Sequence, residues 1–456
     1  PDLSLGGASE HQGTDVKRSR TPAADGPSSL ERLLAESGIL VLWVLVAAFC
    51  LTYGISCLIK YHYFLYWDTD LAHHVQECYA LLHGSLFNTL LGVNFLGNHM
   101  ALIMFPVAAV YAVFRSPVTL LVLQVLAAGA GAFPVYLVCR RLTNELTGLA
   151  LAVVYLVHPA VGYTVLYEFH PVVFAGTFFL WALWAFPLGR KHGRYKAFVA
   201  FALLGLASRE NLSLLLVMLG LWAALFLKRE RFRWAATSLG LGLAWFVVVI
   251  VLIIPKLNQG RVGFYTIYRQ SWGESLPEIV GNMVRHPLRV LQFLHSTPGD
   301  GPRQKLDTEL KRIFYLHVWV PVLFLSVLSP STLALMAPVL LQQMLSARIQ
   351  EHSILRHYTA LVIPVVMVSA GMGLHNLLHW MGRKRKPRTL SEALSSPGRA
   401  RLVNRLLSGV LVVSAVVCQV AYGPLGPGTM GIREGAGGFK PRPTRYHRLY
   451  RPYWED

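Results

Sequence analysis

GILVLWVLVAAFCLTYGISCLI, residues 38–59, runs without a single charge. About 20 apolar residues in a helix cross the roughly 30 Å hydrocarbon core of a bilayer. The stretch is too long for the apolar part of a signal peptide, and it starts too far into the chain. Lys17, Arg18, Arg20 and Arg32 precede it, which by the positive-inside rule places the N-terminus in the cytoplasm. The composition extends the same reading to the whole chain. Its 456 residues are 54% hydrophobic and only 14% charged, against roughly 25% charged in a soluble protein. Soluble, coiled-coil, collagen-like and disordered classes are excluded on those figures.

The fold expected is therefore an all-α polytopic bundle of about 11 spans. Beyond residues 38–59, spans are expected near 118–139, 147–165, 172–189, 197–208, 212–227, 234–254, 313–329, 332–347, 357–380 and 403–422. The net charge of +19 suggests nucleic acid only until its placement is read. Arg140-Arg141, Arg190-Lys191, Lys228-Arg229 and Arg383-Lys384-Arg385-Lys386 all end apolar runs, as cytoplasmic loops do. No nucleic-acid partner is expected. Met100 to Phe114 is apolar but short, and a full crossing there would turn every later basic cluster outward. It is expected to be re-entrant or interfacial, interrupted at Pro106.

Three regions follow. Residues 1–37 read as a disordered cytoplasmic tail, and 38–423 as the transmembrane domain, with outer loops 60–98 and 256–312. Residues 424–456 read as a basic, aromatic tail whose stretch 433–456 suits anionic lipid or a protein partner. The five cysteines show neither C-x-x-C spacing nor an even count, so no disulfide framework or zinc motif is indicated.

Ionisable residues are costly at membrane depth and mark pathways or sites. Here they gather at the expected outer ends of spans: Asp68-Thr69-Asp70, Asn98-His99, Glu168-Phe169-His170-Pro171, Ser208-Arg209-Glu210-Asn211 and Arg356-His357-Tyr358. Each has a plain structural reading, such as a loop residue or a local ion pair. Jointly they resemble a metal or phosphate site. After Asp70 an interfacial helix is expected, with Leu71, Val75, Cys78 and Leu82 on one face and His73 and Glu77 on the other. Asp70 suits a helix cap, a general base or a metal ligand. His375 and His379, four apart, suit a metal pair or simple interfacial packing. Gly129-Ala130-Gly131 suits close helix approach.

The stretches D-L-A-H-H-V-Q from Asp70, G-N-H-M from Gly97, E-F-H-P from Glu168, R-E-N from Arg209 and H-Y-T from His357 resemble, in order, those of the polytopic membrane proteins grouped as domain of unknown function 2079. The resemblance covers about residues 38–380. It departs from the family pattern at Ala72, Asn98, Met100, Glu168, Arg209 and Asn211, so several acids are altered. That family resembles C-type glycosyltransferases, which implies sugar transfer from a polyprenyl-phosphate donor to an acceptor on the outer side of a bacterial inner membrane. It implies Asp70 as the catalytic acid, with Asp68 completing D-x-D and Glu210 beside them. His99, His170, Arg209, Arg356, His357 and Tyr358 would face substrate. A divalent cation held by Glu168 and His170, with Glu210, would offset the leaving phosphate. The altered acids raise a rival, an inactive scaffold subunit docking partners through the tail. A transporter, a third class, would line the midplane instead.

Overall fold

A computed structural model describes residues 29–66, 69–258, 268–383 and 390–425. Among these the chain is helical almost throughout, and its two strands, Phe87–Asn88 and Val93–Asn94, are two residues each. It is an all-α polytopic membrane bundle. The first helix, α1 (Ser29–His62), turns its Leu40, Trp43, Val44 and Leu51 outward and its Leu42, Val46, Phe49 and Tyr53 inward. Exposed side chains of that size suit lipid rather than water. The loop helix α2 (Asp70–Leu82) packs on α3 (Met104–Val113).

Next come α4 (Pro117–Ala130) and α5 (Ala132–Leu142), which together make one long apolar rod. They are followed by α6 (Glu145–Val157), α7 (Pro159–Leu166), α8 (Val172–Ala185), α9 (Tyr195–Ser208), α10 (Leu212–Phe226) and α11 (Arg231–Trp245). Five helices among the described residues are long and apolar enough to cross a membrane: Ser37–His62, Pro117–Leu142, Arg231–Leu257, His357–Met381 and Leu402–Tyr422. The pair α6–α7, bent by 43° at His158–Pro159, is a sixth if taken together. The span His357–Met381 is the most enclosed of the five, 72% buried, and forms the centre of the bundle.

Three expectations change. Residues 313–329 and 332–347 do not continue as single helices. The helix Pro302–Trp319 gives way to short 3₁₀ turns, with Leu323 and Phe324 in left-handed backbone. Pro321, Pro330 and Pro338 stand at the starts of the fragments, where a missing N–H is harmless. Such irregular backbone survives at membrane depth only against protein. Here Ser326 donates to the Val366 carbonyl at 3.0 Å, and Asn376 to that of Leu328 at 3.0 Å. The third change concerns Pro106. It lies in the first turn of α3, where it starts the helix rather than interrupting it. At ten residues α3 is about 15 Å long, too short to cross.

Three helices share one polarity. The first, α8, begins beside His170 and ends near Arg190 and Arg194. The second, α10, begins beside Glu210 and ends before Lys228 and Arg229, and Val362–Arg383 begins after His357 and ends at Arg383. Fourteen residues of α8 put about 20 Å between the acidic and histidine-rich end and the basic one. Gly129 lets α4 lie against α1, since a Cβ there would meet Cys50 Sγ at 2.8 Å. All five cysteines are free.

Candidate functional site

The site is built from the starts of helices. Asp70 is the first residue of α2; Thr69 occupies the cap position and makes no side-chain cap bond. The capping expected of Asp70 is supplied across space by Glu168, whose Oε2 accepts from the Leu71 N–H at 2.6 Å. A carboxylate suits that position because the first-turn N–H groups have no helical partner. Asp70 is left to face imidazoles. Its Oδ2 lies 2.9 Å from His170 Nε2 and its Oδ1 lies 3.4 Å from His73 Nε2.

Gln124, buried in α4, fixes His170. Its Oε1 accepts from the His170 N–H at 2.6 Å, and its Nε2 donates to the Val165 and Glu168 carbonyls at 3.1 and 2.9 Å. His170 Nδ1 donates to the Glu168 carbonyl at 3.0 Å, which turns Nε2 toward Asp70. The His357 ring stacks on His170, with centroids 3.5 Å apart and planes 20° apart. Gly176 makes that approach possible, because a Cβ there would come within 2.4 Å of the Ala360 carbonyl oxygen. Tyr167 packs beside both rings, 5.2 Å from His170 and 5.7 Å from His357, and its hydroxyl accepts from Arg356 at 2.6 Å. Beneath them Lys60 is fully buried and donates to the Leu166 carbonyl at 2.7 Å.

The second half joins His99 to Glu210, Nδ1 to Oε1 at 2.8 Å, with Arg209 Nε 3.7 Å from the same oxygen. Gly97 seats this loop, since a Cβ would meet the Asn258 N at 2.7 Å. The halves are close enough for the charges of Arg209 and His99 to act on His357. Asn211 donates to Gln342 at 3.1 Å, and Gln343 donates to the Tyr358 carbonyl. Asp70 and His99 keep side-chain exposures of 25% and 35%, and through them the buried cluster meets solvent.

Electrostatics sharpen the picture. Burial raises the Asp70 carboxyl, but the hydrogen bonds of His170 and His73 outweigh it, and Asp70 stays ionised well below the ordinary carboxylate range. Burial opposes a charge on His73, yet its bonds to Asp70 and Glu77 raise it to about 9. Burial pushes neighbouring His74 down to about 4. Glu210 is held at about 2, against burial, by His99 and Arg209.

The expected site residues Asp70, His99, Glu168, His170, Arg209, Glu210, Arg356, His357 and Tyr358 thus gather in one neighbourhood. Asp68 lies outside the described residues. Sequence reasoning passed over Gln124, Tyr167, Lys60 and His74. Gln124 was visible as a lone polar residue inside an apolar run; Tyr167 carried no such signal. His375 and His379 stand apart, stacked at 6.1 Å, with His375 bonded to the Leu142 carbonyl at 2.7 Å.

No curated protein matches the chain. Residues 60–396 match the family described as "Predicted membrane protein (DUF2079)". That match spans well over half of the chain and includes every segment of the polar cluster, and the protein belongs to this family of membrane proteins of unknown function.

Proposed function

We propose that the protein is a membrane glycosyltransferase, moving a sugar from a polyprenyl-phosphate donor to an acceptor on the outer side of a bacterial cytoplasmic membrane, with its N-terminus inside. The observation that carries the reading is Asp70. It is an ionised carboxylate gripped by His170 and His73 where separate helix starts meet, away from the basic helix ends. A lipid-linked donor keeps its chain in the bilayer and its phosphate at headgroup level, which is where such a cluster belongs. Transfer needs a base for the acceptor hydroxyl and positive charge for the departing phosphate. Asp70 serves as the base, with Glu210 supporting the second half. Arg209, Arg356 or a divalent cation serves the phosphate.

Glu168 is the weaker cation ligand, because one of its oxygens is committed to Leu71. His99, His170, His357 and Tyr358 line the substrate. The test is transfer from polyprenyl-phosphate sugars in native membranes by wild type and Asp70→Asn. The expected result is a loss of ~10²–10⁴-fold with normal expression. Full activity in the variant removes Asp70 from the reaction. If wild type is also silent and deletion of residues 433–456 breaks a complex, the chain is a scaffold subunit.

A further inference from the structure

Beside Asp70, His170 and His357 lies a second set of donors, of which the transfer reading uses only His73, to hold Asp70. His73, His74 and Glu77 share a turn and a half of α2, each more than nine-tenths buried. One donor atom from each falls within 4.8 Å of the others, and the same holds for Asp70, His170 and His357. Asp70 joins the two sets, with Oδ2 toward His170 and Oδ1 toward His73. The ring centroids of His74 and His170 are 6.0 Å apart.

Hydrogen bonds within α2 satisfy the second set: Glu77 accepts from His73 at 3.2 Å and from His74 at 2.7 Å. The first set is not satisfied. His357 Nδ1 is buried and has no hydrogen-bond partner among the described residues, a deficit that native interiors rarely carry without a reason.

We infer that these six residues are the ligands of two divalent transition-metal ions, one held by Asp70, His170 and His357 and the other by His73, His74 and Glu77. Mixed imidazole and carboxylate donors suit zinc, manganese or iron(II); magnesium and calcium take oxygen donors. Three protein ligands per ion leave positions open, as in catalytic rather than closed structural sites. An ion in such a site polarises a phosphoryl oxygen. Ligation takes Asp70 Oδ2, the oxygen that faces His170, and leaves Oδ1, on the His73 side, for the acceptor's proton. The inference uses the site but not the sugar-transfer reading, so metal content and transfer can fail separately.

The experiment is metal analysis of the whole chain in lipid nanodiscs, stripped with EDTA and titrated with zinc, then with cobalt for its visible absorption. Wild type is expected to take up two ions per chain. Glu77→Gln, His357→Gln and Asp70→Asn should each hold one. Wild type that takes up no ion, or a single ion indifferent to Glu77→Gln, overturns the paired centre. So does uptake that none of the variants changes. The wild-type titration stands without any variant, so a variant that fails to fold does not spare the proposal.

Discussion

Two buried clusters of histidine and carboxylate differ in how completely the protein satisfies them. Asp307, on the helix Pro302–Trp319, bonds through Oδ1 to His352 Nδ1 and through Oδ2 to the Thr297 hydroxyl, with Lys311 4.0 Å away. His352 Nε2 donates to the Gln343 carbonyl at 2.9 Å, and Lys311 to that of Phe293 at 2.8 Å. Protein atoms answer both carboxylate oxygens and both ring nitrogens, so this cluster pins Phe293, Thr297 and the helix Pro302–Trp319 to residues 343–352. Around Asp70 the donors come from three chain segments, and two buried atoms, His357 Nδ1 and Glu210 Oε2, have no hydrogen-bond partner among the described residues. Residue types alone would rank the two clusters equally. Hydrogen-bond completeness separates the Asp307 cluster from the Asp70–His170–His357 set, which keeps an unpartnered buried nitrogen for a ligand.

The sharpest way to break this comparison is to exchange the two acids. Asp70→Asn should lose transfer by ~10²–10⁴-fold, while Asp307→Asn should keep it within about twofold, a modest share of that range. Equal losses in the membrane transfer assay would mean that the clusters do not differ in role.

Stability should run the other way. His352→Ala leaves Asp307 beside Lys311 without its closest partner, and breaking such a buried pair costs about 3–5 kcal/mol. His357→Phe, in metal-free buffer, removes an unpaired nitrogen but brings a larger ring into a tight stack, so it should cost about 1–2 kcal/mol. Melting curves in detergent compare the two, and a larger loss for His357→Phe would sink the distinction.

A third acid refines it. Glu351 stands next to His352 but lacks a histidine partner among the described residues, and its nearest cation, Arg348, is 4.0 Å away. Burial raises its carboxyl to about 7 despite Arg348 and Ser346. Between about 4.5 and 7 the folded chain therefore holds a proton that the unfolded chain has released. Stability contributed by this group is full below about 4.5 and falls as pH rises through about 7. Glu351→Gln should flatten that slope and raise the melting temperature at pH 8; an unchanged slope refutes the assignment.

The smallest effect is expected at His379, exposed and remote from both clusters. His379→Ala should shift stability by no more than about 0.5 kcal/mol and leave metal uptake unchanged. Loss of an ion there would restore the His375–His379 pair as a ligand site.

Much of the site was legible before any coordinates. D-L-A-H-H-V-Q, G-N-H-M, E-F-H-P, R-E-N and H-Y-T stand out because acids and imidazoles at the ends of apolar runs are expensive and need a purpose. Roles were harder to read. Asp70 looked like a cap and Glu168 like a metal ligand, yet Glu168 caps α2 and Asp70 faces the imidazoles. Capping across 97 residues of chain has no sequence signature, because it depends on where another segment's turn arrives. Gln124 shows the same limit: its polarity was visible, but not that its amide holds the turn bearing His170.

By itself, then, the sequence determined the membrane bundle, its helix starts and its segregation of charge, because hydrophobic length and basic clusters act locally along the chain. Only the tertiary structure decided that residues 313–347 break into fragments held by the central helix, and that His357 lies on His170 rather than merely on the same side. Both outcomes depend on backbone and ring contacts between segments far apart in the chain. Such contacts are set by packing, to which hydropathy and spacing are blind.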